Sequence, residues 1–217
     1  MEMRRFLVVP FAAVLLVVLA APVAAGQTVY NSSGSVTVAE GDWSSFDEAT
    51  GAATYGYAAA YRAQGDSQAY LDFSQETDRW VLCSDGGTPD DPSDDAYGLV
   101  ASFTYGSGPA TLDVGKSYST AGATATVDLS VGSFDECAGT KDFTTAEGVR
   151  VSLDLSGTSP LVKTSDRGSF HVPNQFNGHS TYRTTYREAE GNVTVGGQSI
   201  EAYGAIGKVS WSEHSNG

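Results

Sequence analysis

The sequence predicts an antiparallel all-β domain: a β-sandwich of the jelly-roll or immunoglobulin-like (Ig-like) kind, with a flattened β-barrel as the alternative. Three observations lead to this prediction. Apolar and polar residues alternate with a period of two through much of the chain. Gly, Asn, Asp and Pro separate the alternating runs, and helix signals are almost absent.

The clearest alternation runs from Ala125 to Val131, where Ala, Val and Leu occupy every second position and Thr, Asp and Ser lie between them. Residues 149–155 repeat the pattern. Such alternation places one side of a strand in a core and the other side in water. Further strands are predicted at residues 69–73, 80–82, 99–105 and 193–195, and the Ala-rich segment 58–62 is interpreted as a strand.

Turns are predicted where small and turn-forming residues cluster between these runs. The predicted turns are Gly65–Asp66, Gly106–Pro109, Gly139, Gly157, Gly191–Asn192 and Gly196–Gly197. Short strands separated by such turns are typical of a sandwich or a barrel.

The N-terminus predicts export. Arg4 and Arg5 precede an apolar run from Phe6 to Leu19, and Val23-Ala24-Ala25 provides the small residues that a signal peptidase recognises. We therefore expect a signal peptide at residues 1–25 and a single domain at 26–217, secreted to the outside of the cell. A retained membrane anchor is the alternative, because the apolar run approaches the roughly 20 residues that span a bilayer.

The net charge of the chain limits the classes of molecule that it is expected to bind. The formal net charge is −14, and cleavage after Ala25 would make it −15 by removing one acidic and two basic residues. A negative field of this size repels nucleic acid and anionic lipid, so neither is expected as a partner, and no membrane contact is expected after cleavage.

The two cysteines, Cys83 and Cys137, predict one disulfide. An isolated pair in an exported chain is most simply a bridge, and neither cysteine has His or carboxylate neighbours at metal-ligand spacing.

An acidic loop directly after Cys83 is the candidate metal site, with calcium as the candidate cofactor. Calcium takes six to eight oxygen ligands, and several Asp residues on a turn-rich loop can supply them. The alternative is a solvated loop in which Asp favours turns. The candidate ligands are Asp85, Asp90, Asp91, Asp94 and Asp95.

No catalytic constellation stands out in the sequence. Glu188 and Glu190 share one face of a strand beside Tyr182 and Tyr186, which gives a secreted polysaccharide hydrolase as an alternative function. His171 and His179 flank a loop, without the tight spacing of a zinc site.

Tyrosine and tryptophan are more numerous than a small core requires, and such side chains also form interfaces and glycan platforms. The alternative is that they are simply strand-forming residues. The aromatic residues concerned are Trp43, Tyr55, Tyr57, Tyr61, Tyr70, Tyr97, Tyr105, Tyr118 and Trp211.

The C-terminal third, through residues 159–167, 186–189 and 191–195, resembles exported actinobacterial β-proteins of unassigned function. The resemblance implies no activity. The leading expectation is a secreted, non-catalytic protein with a binding or structural role outside the cell or at the envelope, its partner an extracellular glycan or an envelope component. A protein-interaction or inhibitor domain is a further alternative.

Overall fold

The computed structural model describes residues 29–87, 92–172 and 176–216, which form nine antiparallel β-strands. The predicted signal peptide lies outside the described residues. A single 3-10 turn, Lys116–Tyr118, follows β4. The strands are β1 (Val29–Asp47), β2 (Ala52–Ala63), β3 (Ala69–Ser84), β4 (Ala96–Val114), β5 (Thr120–Asp135), β6 (Thr140–Gly157), β7 (Val162–Val172), β8 (Phe176–Val195) and β9 (Gln198–Asn216).

All nine strands belong to one sheet, in the order β6-β5-β4-β3-β2-β1-β9-β8-β7. Strand β6 also pairs with β8, through Val151–Gly157 against Ala189–Val195. Eight strands therefore form a closed hydrogen-bonded ring, while β7 lies outside it and pairs only with the first half of β8. The predicted antiparallel all-β fold is confirmed, and the ring-like pairing is consistent with both the β-sandwich and the flattened-barrel alternative.

The inner face of the ring holds the core. Directly paired residues lie on the same face of a sheet, and the inward positions of the ring are occupied mainly by Ala, Val, Leu and Ile, together with Trp43 and Phe73. Ala60, Leu71, Leu153 and Ile206 are fully buried there. The predicted strands at 58–62, 69–73, 99–105, 125–131, 149–155 and 193–195 all lie within observed strands, and 80–82 continues β3.

Two of the predicted turns are wrong. Gly106–Pro109 lies inside β4 and Gly191–Asn192 inside β8. A Cβ at Gly106 would lie 2.6 Å from the carbonyl oxygen of Asp128, and one at Gly191 only 2.0 Å from that of Asp154. These glycines allow strands to approach closely, whereas Gly65, Gly139 and Gly196–Gly197 do form turns.

The strands are staggered, so groups of them extend past the closed ring at both ends. At the upper end, β3 to β6 continue to the turns after β3 and β5. At the lower end, β7, β8, β9 and the start of β1 continue together; β8 pairs there with β7 and β9 but no longer with β6.

The predicted disulfide is confirmed: Cys83 and Cys137 are bonded, with their Cα atoms 5.2 Å apart. It joins the end of β3 to the turn after β5 and passes over Gly98 of β4, where an added Cβ would lie 2.6 Å from the Sγ of Cys83. Within the described residues, no helix is long and apolar enough to cross a membrane.

Candidate functional site: an exposed aromatic surface

Exposed aromatic side chains cluster on the outer face of the upper end. We use the term upper aromatic surface for the outward side chains of Trp80, Tyr97, Phe103, Tyr105 and Phe143. Trp80 is 67% exposed, Phe143 66% and Tyr97 59%. Single exposed apolar side chains are ordinary on a protein surface, whereas a contiguous group of them indicates an interaction surface.

The strand register brings these rings together. Phe103 of β4 pairs with Gly132 of β5, which in turn pairs with Phe143 of β6. The rings of Phe103 and Phe143 lie with centroids 5.7 Å apart at 58°, and Phe103 stacks on Tyr105 at 6.3 Å and 22°. The three rings therefore form one continuous aromatic strip across two strands and the glycine between them.

Trp80 and Tyr97 extend the strip toward the disulfide. Trp80 pairs with Leu99, and Tyr97 pairs with Leu82, so all four side chains share the outer face. Leu82 is 50% exposed. The hydroxyl of Tyr97 donates a hydrogen bond to Asp95 Oδ2 at 3.2 Å, which raises the pKa of Tyr97.

Carboxylates are interleaved with these rings. Glu76 pairs with Tyr55 on one side and with Phe103 on the other. Asp78 lies two positions further along the same face of β3, next to Trp80 in the outward series. The surface thus offers apolar ring faces with hydrogen-bond acceptors between them.

The sequence predicted part of this surface. Tyr55, Tyr70, Tyr97 and Tyr105 are exposed as the aromatic-rich pattern suggested. Trp43 is instead buried at 8% exposure, packed on Phe73 with ring centroids 5.9 Å apart. Tyr57, Tyr61, Tyr118 and Trp211 are half-buried.

Sequence reasoning did not select Trp80 or Phe143, the two most exposed large apolar side chains in the described part of the chain. The alternation predicts that Trp80 and Leu82 lie on the core side of their strand, and this prediction is wrong, because both side chains are exposed on the outer face. Alternation shows which side chains share a face, but it does not show whether other strands cover that face.

The acidic loop borders this surface. Asp90 and Asp91 lie outside the described residues. Asp85 Oδ1 accepts a hydrogen bond from the backbone N–H of Gly87 at 3.0 Å, and Asp94 packs against Gly86. No group of three or more His, Cys, Asp or Glu side chains suited to a metal ion occurs among the described residues, and calcium binding by this loop stays a prediction.

Glu188 and Glu190 are both exposed on the outer face of β8, paired with Ala205 and Tyr203 of β9. The backbone N–H of Glu188 donates to Ser159 Oγ at 2.9 Å. Glycosidases hold two carboxylates on opposite sides of a sugar, whereas these two follow each other along one side of one strand.

The three histidines lie on strands rather than in loops. His171 is on β7, His179 on β8 and His214 on β9, and His179 pairs directly with His214. His171 Nδ1 shares a hydrogen bond with Asn177 Oδ1, and His214 Nδ1 shares one with Asn31 Oδ1. A shallow depression lined by His179, His214 and their polar neighbours lies at this lower end.

A second group of titratable side chains lies on the outer face of β1 to β3. Burial, with a smaller contribution from the charge of Asp42, raises the pKa of Glu40 from 4.5 to about 7. Burial likewise raises the pKa of Asp72, and it raises that of Tyr57 to about 12, with Asp72 and Glu40 adding to the effect. Glu40 and Asp72 both flank Ala59 in the register, on a continuous strand surface.

Comparison with protein-family models, with curated proteins and with solved structures finds no match for this chain.

Proposed function

We propose that this protein is a secreted, non-catalytic module that binds a neutral glycan outside the cell or at the envelope through the upper aromatic surface. The observation that carries the proposal is the strip formed by Phe143, Phe103 and Tyr105, extended by Trp80 and Tyr97 on the same face. The apolar face of a sugar ring stacks on an aromatic ring, and exposed Trp and Tyr provide large contact areas with few rotatable bonds.

The polar groups within the strip favour a glycan over a protein partner. The centre of a protein interface is depleted of charged residues, yet Glu76 lies between Tyr55 and Phe103 in the register. Carboxylates between aromatic rings suit a ligand whose hydroxyl groups alternate with apolar ring faces.

The charge of the surface favours a neutral glycan over an acidic one. Glu76 and Asp78 stand within it, the acidic loop borders it, and the whole chain carries a formal net charge of −14. A ligand with its own negative charges would meet repulsion at each of these positions.

The hydrolase alternative draws no comparable support, because Glu188 and Glu190 lie side by side on a single exposed strand face. This alternative is tested by incubating the protein with chitin, cellulose and isolated cell walls and measuring the reducing ends that are released. Release of reducing ends that Glu188→Gln abolishes would replace the binding proposal with catalysis.

The test of binding is retention of the exported protein on chitin, on cellulose and on isolated cell walls, with calcium and with a chelator. We expect retention on at least one of them, lost in the Trp80→Ala/Phe143→Ser variant and kept in Tyr203→Ser. Tyr203 is a matched control because it is 56% exposed on the outer face of β9, away from the strip.

Two other outcomes decide between the remaining alternatives. Retention that the chelator abolishes would assign calcium to the acidic loop, whereas equal retention would leave the loop as a solvated turn. Absence of retention on all three materials would overturn the glycan proposal and favour the protein-interaction alternative.

A further inference from the structure

One face at the lower end of the sheet carries five of the ten Lys and Arg residues in the described part of this acidic chain. One row of directly paired residues crosses five strands, from β7 to β2. Its members are Lys163, Thr185, Lys208, Thr37 and Arg62. Adjacent strands are about 4.8 Å apart, so the backbone positions of the three cations recur at about 10 Å along this row.

The neighbouring rows continue the pattern. Arg183 lies in the next row, where it pairs with Ser165 and Ser210, and Arg167 lies in the row after that, paired with Thr181. The following row brings together His179 and His214. We define the cationic face as Arg62, Lys163, Arg167, Arg183 and Lys208; these residues lie on the face that is continuous with the inside of the ring.

No carboxylate of the described residues shares this face of the lower strands. The acidic side chains of the same strands point to the opposite side: Asp166 on β7, Glu188 and Glu190 on β8, and Glu213 on β9. Positions between the cations carry Ser and Thr hydroxyl groups. Although the protein has a negative net charge, its cationic and acidic side chains therefore lie on opposite faces of this part of the sheet.

Three of the five cations are exposed and the other two, Arg62 and Lys208, are half-buried. In the described part of the chain none of the five forms an ion pair with a carboxylate. Arg187 is not counted in the cationic face, because its guanidinium already donates hydrogen bonds to the carbonyl oxygens of Ser117 at 2.8 Å and Ser159 at 2.7 Å. Unpaired cations arranged at regular intervals are available to an external anion.

We infer that the cationic face binds an acidic polysaccharide. Both this ligand and this site are distinct from those of the upper aromatic surface. Guanidinium groups bind carboxylate or sulfate groups in bidentate fashion, and the Ser and Thr side chains between them match sugar hydroxyls. Repeating cations over several strands suit a polymer with regularly spaced charges.

Other polyanions fit this face less well. An anionic membrane is usually bound with apolar side chains that enter the lipid. The rows of the cationic face instead carry Ser, Thr, Lys, Arg and His. Single-stranded nucleic acid is bound with aromatic stacking platforms, which these rows lack. The acidic groups lie on the other side of the sheet, and at physiological ionic strength their repulsion is screened over about 8 Å.

The experiment measures binding of the exported protein to alginate, with neutral dextran as the reference polymer, at low and high salt. We expect binding to alginate only, weakened by salt and by the Lys163→Glu/Arg183→Glu variant by about tenfold or more. The control Arg79→Glu/Arg150→Glu makes the same change in net charge at two exposed positions away from this face, and we expect it to bind nearly as the wild type does.

Absence of binding by the wild type, or equal weakening in the two double variants, would overturn the inference. Tighter binding to phosphatidylglycerol vesicles or to DNA than to alginate would likewise overturn it in favour of those ligands. Retention on neutral glycans through Trp80 is measured separately, so failure of either proposal leaves the other standing.

Discussion

The ring of Phe103 lies across Gly132 on the neighbouring strand, so that a Cβ at Gly132 would stand 2.2 Å from Phe103 Cζ. Phe143 closes the other side of the same glycine. An aromatic ring laid over a cross-strand glycine is fixed in orientation by the absence of a side chain beneath it. The upper aromatic surface thus depends on a residue that has no side chain of its own.

Gly132→Ala therefore tests whether the ring orientation matters for binding. The new methyl group displaces Phe103 from the strip, and we expect retention on the glycan that binds wild type to fall severalfold while the protein stays folded. Gly122→Ala is the control, because the nearest atom to its added Cβ is 3.5 Å away. Unchanged retention in Gly132→Ala would show that the strip does not need this geometry.

A second glycine–aromatic pair lies inside the ring and governs stability. Trp43 lies over Gly56, its register partner, where an added Cβ would be 1.9 Å from the indole. Trp43 is buried and cannot swing into solvent as Phe103 can. We expect Gly56→Ala to lower the free energy of unfolding by about 3 kcal/mol, as overpacking does, in denaturant titration; a loss below 1 kcal/mol would mean that the core can repack.

The alternation of side chains was enough to predict parts of β2 to β6 and of β8, because the two-residue period is a local property of the chain. It predicted no strand in β1, β7 or β9. Glycine was harder to interpret. Gly106 and Gly191 have the composition of turns yet lie within strands, because neighbouring carbonyl groups approach them closely. Composition alone does not distinguish a glycine that forms a turn from a glycine within a strand that allows a neighbouring strand to approach closely.

The two candidate surfaces were less predictable than the strands, and for a physical reason. Lys163 and Arg62 are remote in sequence and share a row only through three intervening strands. In the sequence, Arg183 and Arg187 each follow a tyrosine directly, so the local pattern does not distinguish them. The structure separates them, since Arg187 binds backbone carbonyl groups while Arg183 is exposed.

The raised pKa of Glu40 predicts a pH dependence of stability. Because the pKa rises from 4.5 to about 7 on folding, the folded state favours the protonated carboxyl. This contribution to stability is present in full below pH 4.5 and is lost as the pH rises to about 7. We expect Glu40→Gln to raise the free energy of unfolding at pH 8 by about 2 kcal/mol, and to change it little at pH 4.

Denaturant titrations of wild type and Glu40→Gln at both pH values measure this effect. Exposed Glu48→Gln is the control and should show no comparable difference. A variant that is equally stabilised at pH 4 and pH 8 would attribute the gain to packing rather than to titration.

The disulfide predicts a large loss of stability on reduction. Cys83 and Cys137 are 54 residues apart and both are exposed, so a reductant can reach them. Closing a loop of this length restricts the unfolded chain by about 4 kcal/mol in the entropic account. We expect the midpoint of denaturation to fall accordingly when the oxidised protein is treated with dithiothreitol, and a shift worth less than 1 kcal/mol would contradict that account.

Arg187 gives the last prediction, because it holds the lower rim of the ring. Its guanidinium binds the carbonyl oxygen of Ser117, in a turn where Ser117 and Tyr118 have φ angles of 53° and 59°. Residues other than glycine adopt such angles only when neighbouring contacts stabilise them. Arg187→Met keeps the aliphatic stem but loses both hydrogen bonds, and we expect it to lower the free energy of unfolding by about 2 kcal/mol.

The double variant Arg187→Met/Ser117→Gly identifies the cause. Glycine adopts a positive φ without strain, so part of the loss should be recovered if Arg187 stabilises the turn. The matched Arg183→Met change removes a cation that makes no such contacts, and it should leave stability within about 0.5 kcal/mol of wild type. Equal losses in Arg187→Met and Arg183→Met would show that the charge, rather than the two carbonyl contacts, contributes to stability.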